Sequence, residues 1–203
     1  MSSIPQPSNT IQGTEGNDLL KGTPESDIIF GGSGDDRLQG KQGNDELSGG
    51  NGNDLLRGGA DNDLLIGGEG HDILLGGKGS DRLLGGEFTA FSPTFPPEPT
   101  PGSDQIDILT GGADADTFVL STFGAADEPI TPYTGEGFAI ITDFNGSEGD
   151  QIELLGSASN NDYIFDQTFI GTKISLGQDL IAVAVNAEID PSTDVSFVGR
   201  FVG

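Results

Sequence analysis

Large apolar residues recur at every ninth position along most of the first 120 residues of this 203-residue chain. In each nine-residue unit, position one is glycine, position six is aspartate and position eight is the large apolar residue. The position-eight residues are Leu20, Ile29, Leu38, Leu47, Leu56, Leu65, Leu74, Leu83, Leu109 and Phe118. A motif held at one period over this length predicts a single repeating structural unit rather than an irregular chain.

Nine residues are too few for a helical hairpin, but they suit a six-residue loop followed by a three-residue strand. Because side chains alternate along a strand, position eight faces one way and positions seven and nine face the other. Two units then complete one turn of a flattened right-handed coil, and the position-eight side chains meet between two parallel sheets. The pattern predicts an all-β fold, a right-handed parallel β-roll with two repeats per turn.

The repeats predict a roll over residues 13–119, preceded by an N-terminal lead-in at 1–12. A Pro-rich insertion at 88–103 interrupts the repeat that begins at Gly85. We interpret Gly85 to Thr110 as one repeat with an enlarged loop; two incomplete repeats are the alternative.

The chain after Val119 loses its glycine period and instead shows runs of β-branched and aromatic residues. Residues 138–144, 151–155, 172–176 and 180–185 are predicted strands, with a tight turn at 177–179 and a loop at 124–137. Residues 120–203 are therefore predicted to form a β-strand-rich C-terminal cap, since an open roll exposes an apolar end.

Charge narrows the possible partners. The chain has 33 acidic and 8 basic residues, for a formal net charge of −25. Nucleic acid and anionic membrane surfaces are excluded as expected partners, because both require a basic surface. No apolar stretch is long enough for a transmembrane segment. The balance favours cations.

The loops offer oxygen ligands for such cations. Glycines at positions one, two and four allow tight turns that direct carbonyl oxygens inward, and position six adds a carboxylate. An all-oxygen set suits Ca²⁺ better than Mg²⁺, so we expect up to about eight calcium ions, each between one loop and the loop two repeats later. The predicted ligands are the carbonyl groups of Gly31, Gly49, Gly67 and Gly76 and the carboxylates of Asp18, Asp27, Asp36, Asp45, Asp54, Asp63, Asp72, Asp81, Asp107 and Asp116.

These units resemble the G-G-x-G-x-D-x-U-x repeats of the RTX, or hemolysin-type, calcium-binding proteins. The resemblance implies a parallel β-roll, calcium-triggered folding outside the cell, and export by a type I secretion apparatus through an uncleaved C-terminal signal. Residues 138–155 resemble the segment that closes the roll in this family, which implies Asp143 and Asp150 as further ligands and Glu153 as a weaker one. The N-terminus lacks the basic and apolar segments of a signal peptide, so we expect a secreted protein with its export signal elsewhere.

Several loops depart from the pattern, and their sites are expected to be altered. Position four is Asp61 or Asp114 in two of them, and position two is Lys41 in another. The second repeat carries Pro24 and Glu25.

We expect a non-catalytic protein, because no motif supplies a nucleophile with a base. The one histidine, His71, occupies loop position five and is interpreted as a loop residue rather than a zinc or catalytic group. Two alternatives stay open. One is a surface-binding or adhesin-like roll; ice binding is disfavoured because only Thr14 and Thr23 place threonine at position two. The other is the C-terminal part of a secreted hydrolase.

Overall fold

The computed structural model of the chain describes residues 9–86, 105–120, 122–123, 129–130, 138–155, 163–176 and 179–198. Regular structure in these ranges consists of β-strands. None of these residues belongs to a helix long and apolar enough to cross a membrane.

The strands form two large sheets. The first sheet has eight strands, in the spatial order β1 (Asn9–Gln12), β3 (Asp27–Ser33), β5 (Glu46–Asn51), β7 (Leu64–Glu69), β9 (Arg82–Leu84), β11 (Thr117–Val119), β15 (Gln151–Leu155) and β19 (Val195–Val198). The second has nine, in the order β2 (Leu19–Lys21), β4 (Arg37–Gln42), β6 (Leu55–Ala60), β8 (Ile73–Lys78), β10 (Ile106–Ala113), β14 (Phe138–Ile141), β18 (Asp179–Val185), β17 (Gly171–Leu176) and β16 (Tyr163–Thr168). A separate antiparallel pair joins β12 (Thr122–Phe123) to β13 (Pro129–Ile130).

Successive strands alternate between the two sheets through the repeats, and each pairs in parallel with the strand two further along the chain. Leu47, for example, lies opposite Leu65, two repeats later. One turn of the coil therefore contains two nonapeptides, and the predicted parallel β-roll is confirmed.

The strands are longer than the pattern predicts. β5 spans the last three positions of one repeat and the first three of the next, so it includes Gly49 and Gly50. Gly50 has a positive φ of 112° yet still pairs with Gly32 and Gly68. β2, β9 and β11 have the predicted three residues, but the prediction of three-residue strands and six-residue loops is wrong for the longer strands, in which the ladder continues through the glycine pair. Around β5 the turns contain only positions four to six of the repeat, and the aspartate at position six comes directly before the next strand.

Through most of the repeats, the core is a column of position-eight side chains between the sheets, and buried C-terminal residues such as Ile141 and Ile152 continue it. From Ile29 to Phe118 each position-eight side chain is at most 2% exposed. Leu20, in the first coil, is only partly buried. Alternation along the short strands thus produces the thin core that the sequence predicts.

The coil continues on both sides of the interruption between β9 and β10. Ile108 of β10 lies opposite Ile73 of β8, and the register then follows the same pattern as in the uninterrupted repeats. Residues 87–104, which include the predicted insertion at 88–103, lie outside the described residues. The register is the one that a single repeat with an enlarged loop requires.

The C-terminal region extends both sheets. β14 and β15 add in parallel to β10 and β11, and β18 and β19 add in parallel to β14 and β15. β16, β17 and β18 then form an antiparallel meander at the end of the second sheet. Four predicted strands correspond to β14, β15, β17 and β18, while β1, β12, β13, β16 and β19 were not predicted, and β13 lies within the predicted loop at 124–137. Most of the predicted turn at 177–179 and of the predicted loop at 124–137 lies outside the described residues.

Candidate metal sites between stacked loops

The position-six aspartates form two ladders, one along each edge of the roll. The backbone N–H of each aspartate donates to Oδ1 of the aspartate one coil later, at N···O distances of 2.7–3.0 Å. One ladder contains Asp18, Asp36, Asp54, Asp72 and Asp107. The other contains Asp27, Asp45, Asp63, Asp81, Asp116 and Asp150. The tight turns thus stack like charges directly above one another.

These carboxylates are removed from solvent. All except Asp18 are at most 3% exposed, in a chain that is already strongly anionic. A buried carboxylate is costly unless it is protonated, paired or bound to a cation. The ladders therefore need a source of positive charge or of protons.

The second oxygen of most of these carboxylates has no hydrogen-bond partner. Within the described part of the chain, Oδ2 is buried and unpartnered in seven residues: Asp36, Asp45, Asp54, Asp63, Asp72, Asp81 and Asp116. Native proteins satisfy most buried polar atoms, so an orphan that recurs from Asp36 to Asp116 indicates an oxygen positioned to bind a cation.

Five of the seven orphaned oxygens face a carbonyl oxygen of the next coil across the position-one glycine. A Cβ atom built on Gly49 would lie 2.2 Å from Asp54 Oδ2 and 2.6 Å from the carbonyl oxygen of Gly67. Corresponding positions beside Gly31, Gly40, Gly67 and Gly76 lie 2.1–2.8 Å from both kinds of oxygen. Glycine is required at position one because any side chain would fill this space.

The donor set is entirely oxygen. Across the described ranges no three carboxylate or imidazole side chains converge on one point, so backbone carbonyls must complete any site. One carboxylate with several carbonyl oxygens is a ligand set for a hard cation, and Ca²⁺ accepts such sets with variable geometry. The residues present therefore fit calcium.

Burial also changes the acidity of the ladder. Desolvation raises the pKa of Asp45 and Asp54 to about 6 and that of Asp63, Asp81 and Asp116 to about 7, with neighbouring aspartates raising it further. The pKa of Asp72 rises to about 8, because its burial is deeper and Asp107 is close.

These shifts predict that acid stabilises the metal-free fold. A carboxyl whose folded pKa exceeds its unfolded pKa of 3.8 stabilises the fold at low pH and loses that contribution as the pH rises through the folded value. We expect the β-sheet signal of metal-free protein, measured by far-UV circular dichroism, to increase on acidification from pH 8 to pH 5. A β-sheet signal that falls over this range would contradict the prediction.

Three of the predicted glycine ligands place a carbonyl oxygen beside an aspartate Oδ2 of the preceding coil, and the fourth, Gly76, does not do so in the same way. The carbonyl oxygens of Gly49 and Gly67 lie beside Oδ2 of Asp36 and Asp54, and that of Gly31 lies beside Asp18 Oδ2. Gly76 contributes its open α-carbon position, which lies beside Asp81 Oδ2 and the Gly111 carbonyl. Sequence reasoning missed the carbonyls of Gly40, Gly58, Gly85 and Gly111, although all four occupy position one.

The predicted C-terminal ligands differ in their roles. Asp150 stands in the ladder, accepting from the Asp116 N–H at 3.0 Å and from the Asn145 N–H at 2.8 Å. Asp143 accepts from the N–H groups of Gly111 and Gly112 at 3.0 and 2.9 Å. Glu153 lies in β15 and makes an ion pair with Arg82, with an Oε1–Nη2 distance of 2.6 Å.

Position five forms a second ladder, built mainly from uncharged side chains, in which Asp35 Oδ1 accepts from the Asn53 N–H at 2.9 Å. The N–H of His71 donates to Asn53 Oδ1 at 2.9 Å, and His71 Nδ1 accepts from the Ile106 N–H at 2.9 Å. Asn44 and Asn62 make the same kind of contact on the other edge. His71 is thus placed as a loop residue within this ladder.

Comparison with known proteins gives one family match. The model of the RTX calcium-binding nonapeptide repeat matches four segments, at residues 8–38, 30–65, 57–88 and 102–121. These segments contain all ten position-six aspartates. No curated protein matches the chain significantly.

Two solved structures are similar at low identity. The extracellular lipase LipA from Serratia marcescens is 16% identical, with a TM-score of 0.40, over 95% of this chain and 40% of the lipase. The AlgE6R3 subunit of the Azotobacter vinelandii mannuronan C5-epimerase is 21% identical, with a TM-score of 0.31, over 97% of this chain and 86% of that subunit. The chain therefore spans about 40% of the length of the lipase.

Proposed function

Because this chain belongs to the family of RTX calcium-binding nonapeptide repeat proteins, we propose that it is a secreted, non-catalytic protein whose roll folds when several calcium ions bind between stacked loops. The observation that carries the proposal is the row of seven buried, unpartnered Oδ2 atoms, most of them beside a carbonyl oxygen of the next coil. The sequence predicts up to about eight such ions.

The residues of each loop have separate tasks in this function. The aspartate supplies a carboxylate oxygen, the position-one glycine keeps the space open, and a carbonyl oxygen of the next coil faces it. A bound calcium ion would supply positive charge and coordinate oxygens from two coils at once. The hydrogen-bonded ladder then stabilises folded coils without the cost of unpaired buried charge.

Secretion follows from the same coupling. Extracellular calcium modules bind at about 10⁻⁴–10⁻³ M, so cytosolic calcium would leave the anionic chain unfolded and suited to export by a type I apparatus. Calcium outside the cell would then drive folding. The C-terminal residues are proposed to carry the export signal.

The non-catalytic part of the proposal is supported by the position of the one histidine. His71 Nδ1 already accepts a backbone hydrogen bond, and its neighbours are loop residues of the same ladder. The buried aspartates occupy structural positions repeated in every coil rather than one differentiated cleft.

Calorimetric titration tests the proposal directly. We expect several calcium ions per chain, with much weaker binding of magnesium, because Mg²⁺ requires stricter geometry and retains its water. The variant Gly49→Ala should lose bound calcium, since its Cβ would lie 2.2 Å from Asp54 Oδ2 and 2.6 Å from the Gly67 carbonyl.

The matched control is Gly16→Ala. A Cβ at Gly16 meets nothing within 4 Å, so this variant should keep the wild-type stoichiometry. Absence of calcium binding, or equal binding of magnesium, would defeat the proposal. Full stoichiometry in Gly49→Ala would remove the inter-loop space as the location of the ions.

A further inference from the structure

Position two divides the loops into two kinds. In seven loops this residue has a positive φ of 100–128°: Gly32, Lys41, Gly50, Gly59, Gly68, Gly77 and Gly112. The first two loops instead carry Thr14 and Thr23, and neither has a positive φ. β-Branched residues strongly disfavour that region of backbone space, so threonine selects a different loop conformation.

The threonine conformation directs hydrogen-bond donors at the aspartate of the same loop. The N–H of Thr14 lies 2.7 Å from Asp18 Oδ2, and its hydroxyl lies 2.9 Å from the same oxygen. The N–H and hydroxyl of Thr23 lie 2.5 and 3.0 Å from Asp27 Oδ2. Each of these two oxygens therefore accepts two hydrogen bonds within its own loop.

The conformation at position two correlates with whether the aspartate Oδ2 of the same loop accepts hydrogen bonds. Every loop with a positive φ at position two has a buried Oδ2 without a partner within the described residues. Both threonine loops have an Oδ2 occupied by donors. In Asp27 the unpartnered atom is Oδ1. The residue aligned with Asp27 on the neighbouring strand β1 is Asn9.

The chain also supplies its own cation at this end. The ammonium group of Lys41 donates to the carbonyl oxygen of Gly22, a position-one carbonyl of the second loop. Asn9, aligned with Asp27, carries an amide where later coils carry a carboxylate. The start of the roll thus has a neutral residue, Asn9, in register with Asp27, and a built-in positive charge from Lys41.

Given the proposed function, on which this step rests, we propose that position two decides whether a loop holds an ion. Thr14 and Thr23 close the first two loops with hydrogen bonds and leave their inter-loop positions without calcium. N–H and O–H hydrogens carry partial positive charge and occupy the lone pairs that a cation would need. The first coil is therefore a metal-independent end of the roll, and calcium binds from the third loop onward.

The test compares bound calcium per chain in the wild type and in Thr14→Gly/Thr23→Gly. Calcium is measured by atomic emission after gel filtration in millimolar calcium and independently by calorimetry. Glycine permits the positive φ of the later loops, so we expect about two additional ions per chain. The single variant Thr14→Gly, expected to gain one ion, keeps the test usable if the double variant does not fold.

The matched control is Thr14→Val/Thr23→Val. Valine is also β-branched and keeps the N–H directed at the aspartate, so the number of ions should equal that of the wild type. An unchanged stoichiometry in both glycine variants would overturn the inference while leaving calcium binding intact. A wild-type chain that binds no calcium would instead defeat the proposed function itself.

Discussion

Addition of EDTA to the calcium-loaded protein at neutral pH is expected to convert its far-UV circular dichroism spectrum from β-sheet to coil. At ten times Kd each site contributes about 1.4 kcal/mol, so seven sites contribute about 10 kcal/mol. This is comparable with the whole stability of an ordinary domain, about 5–15 kcal/mol. A core one side chain thick cannot be expected to replace that contribution.

The expected transition has two internal controls. Excess calcium should restore the β-sheet spectrum after chelation, whereas equimolar magnesium should not. Sodium chloride at matched ionic strength separates ion coordination from simple screening of the charge of −25. A β-sheet spectrum that survives EDTA at neutral pH and low salt would show that the roll is stable without ions.

Deletion of residues 120–203 is expected to abolish or greatly weaken cooperative calcium-induced folding. The C-terminal strands place Ile141, Ile152 and Leu154 over the last repeat, and all three are fully buried. Phe144 packs on Phe118, with ring centroids 6.2 Å apart. Removing this region would expose the end of the core and the unpaired edges of β10 and β11. The measurement is the midpoint and steepness of a calcium titration followed by circular dichroism.

A pair of substitutions distinguishes capping from a general effect of chain length. Ile152→Ala/Leu154→Ala removes buried apolar volume, at a cost of about 2–5 kcal/mol for each site, and should raise the calcium midpoint. Ile164→Ala, on β16 and 53% exposed, should leave the midpoint unchanged. Folding of the truncated repeats at the wild-type midpoint would show that the roll needs no C-terminal cap.

The period of the sequence predicted the coil well, because the position-eight residues from Ile29 to Phe118 share one buried environment. Leu47 and Leu65 could be placed in the core, and the aspartates at the edges, from spacing alone. The length of the strands could not be predicted in the same way. Gly50 was interpreted as loop, but it keeps its ladder partners at a positive φ that only the folded neighbours reveal.

The contacts between atoms of neighbouring coils also could not be predicted from the sequence. The spacing indicates that Asp54 and the carbonyl oxygen of Gly67 belong to neighbouring loops, but not that both lie against the α-carbon of Gly49. The signal for the unusual first loops was present in Thr14 and Thr23. In the sequence these threonines bear only on ice binding, since nothing in it shows where a threonine N–H is directed. β19 was missed because its partner, β15, is distant in the chain, whereas β16 was missed although it forms a hairpin with β17, the next strand.

The long chain segment between β9 and β10 bears on how a β-roll tolerates inserted residues. Asp72 and Asp107 make the same ladder contact as their counterparts, although 35 residues rather than 18 separate them. The stacking rule is therefore indifferent to how much chain leaves and re-enters between these two strands. A scaffold of this kind can carry an inserted peptide between fixed endpoints, and the proposed calcium-dependent folding would bring those endpoints together.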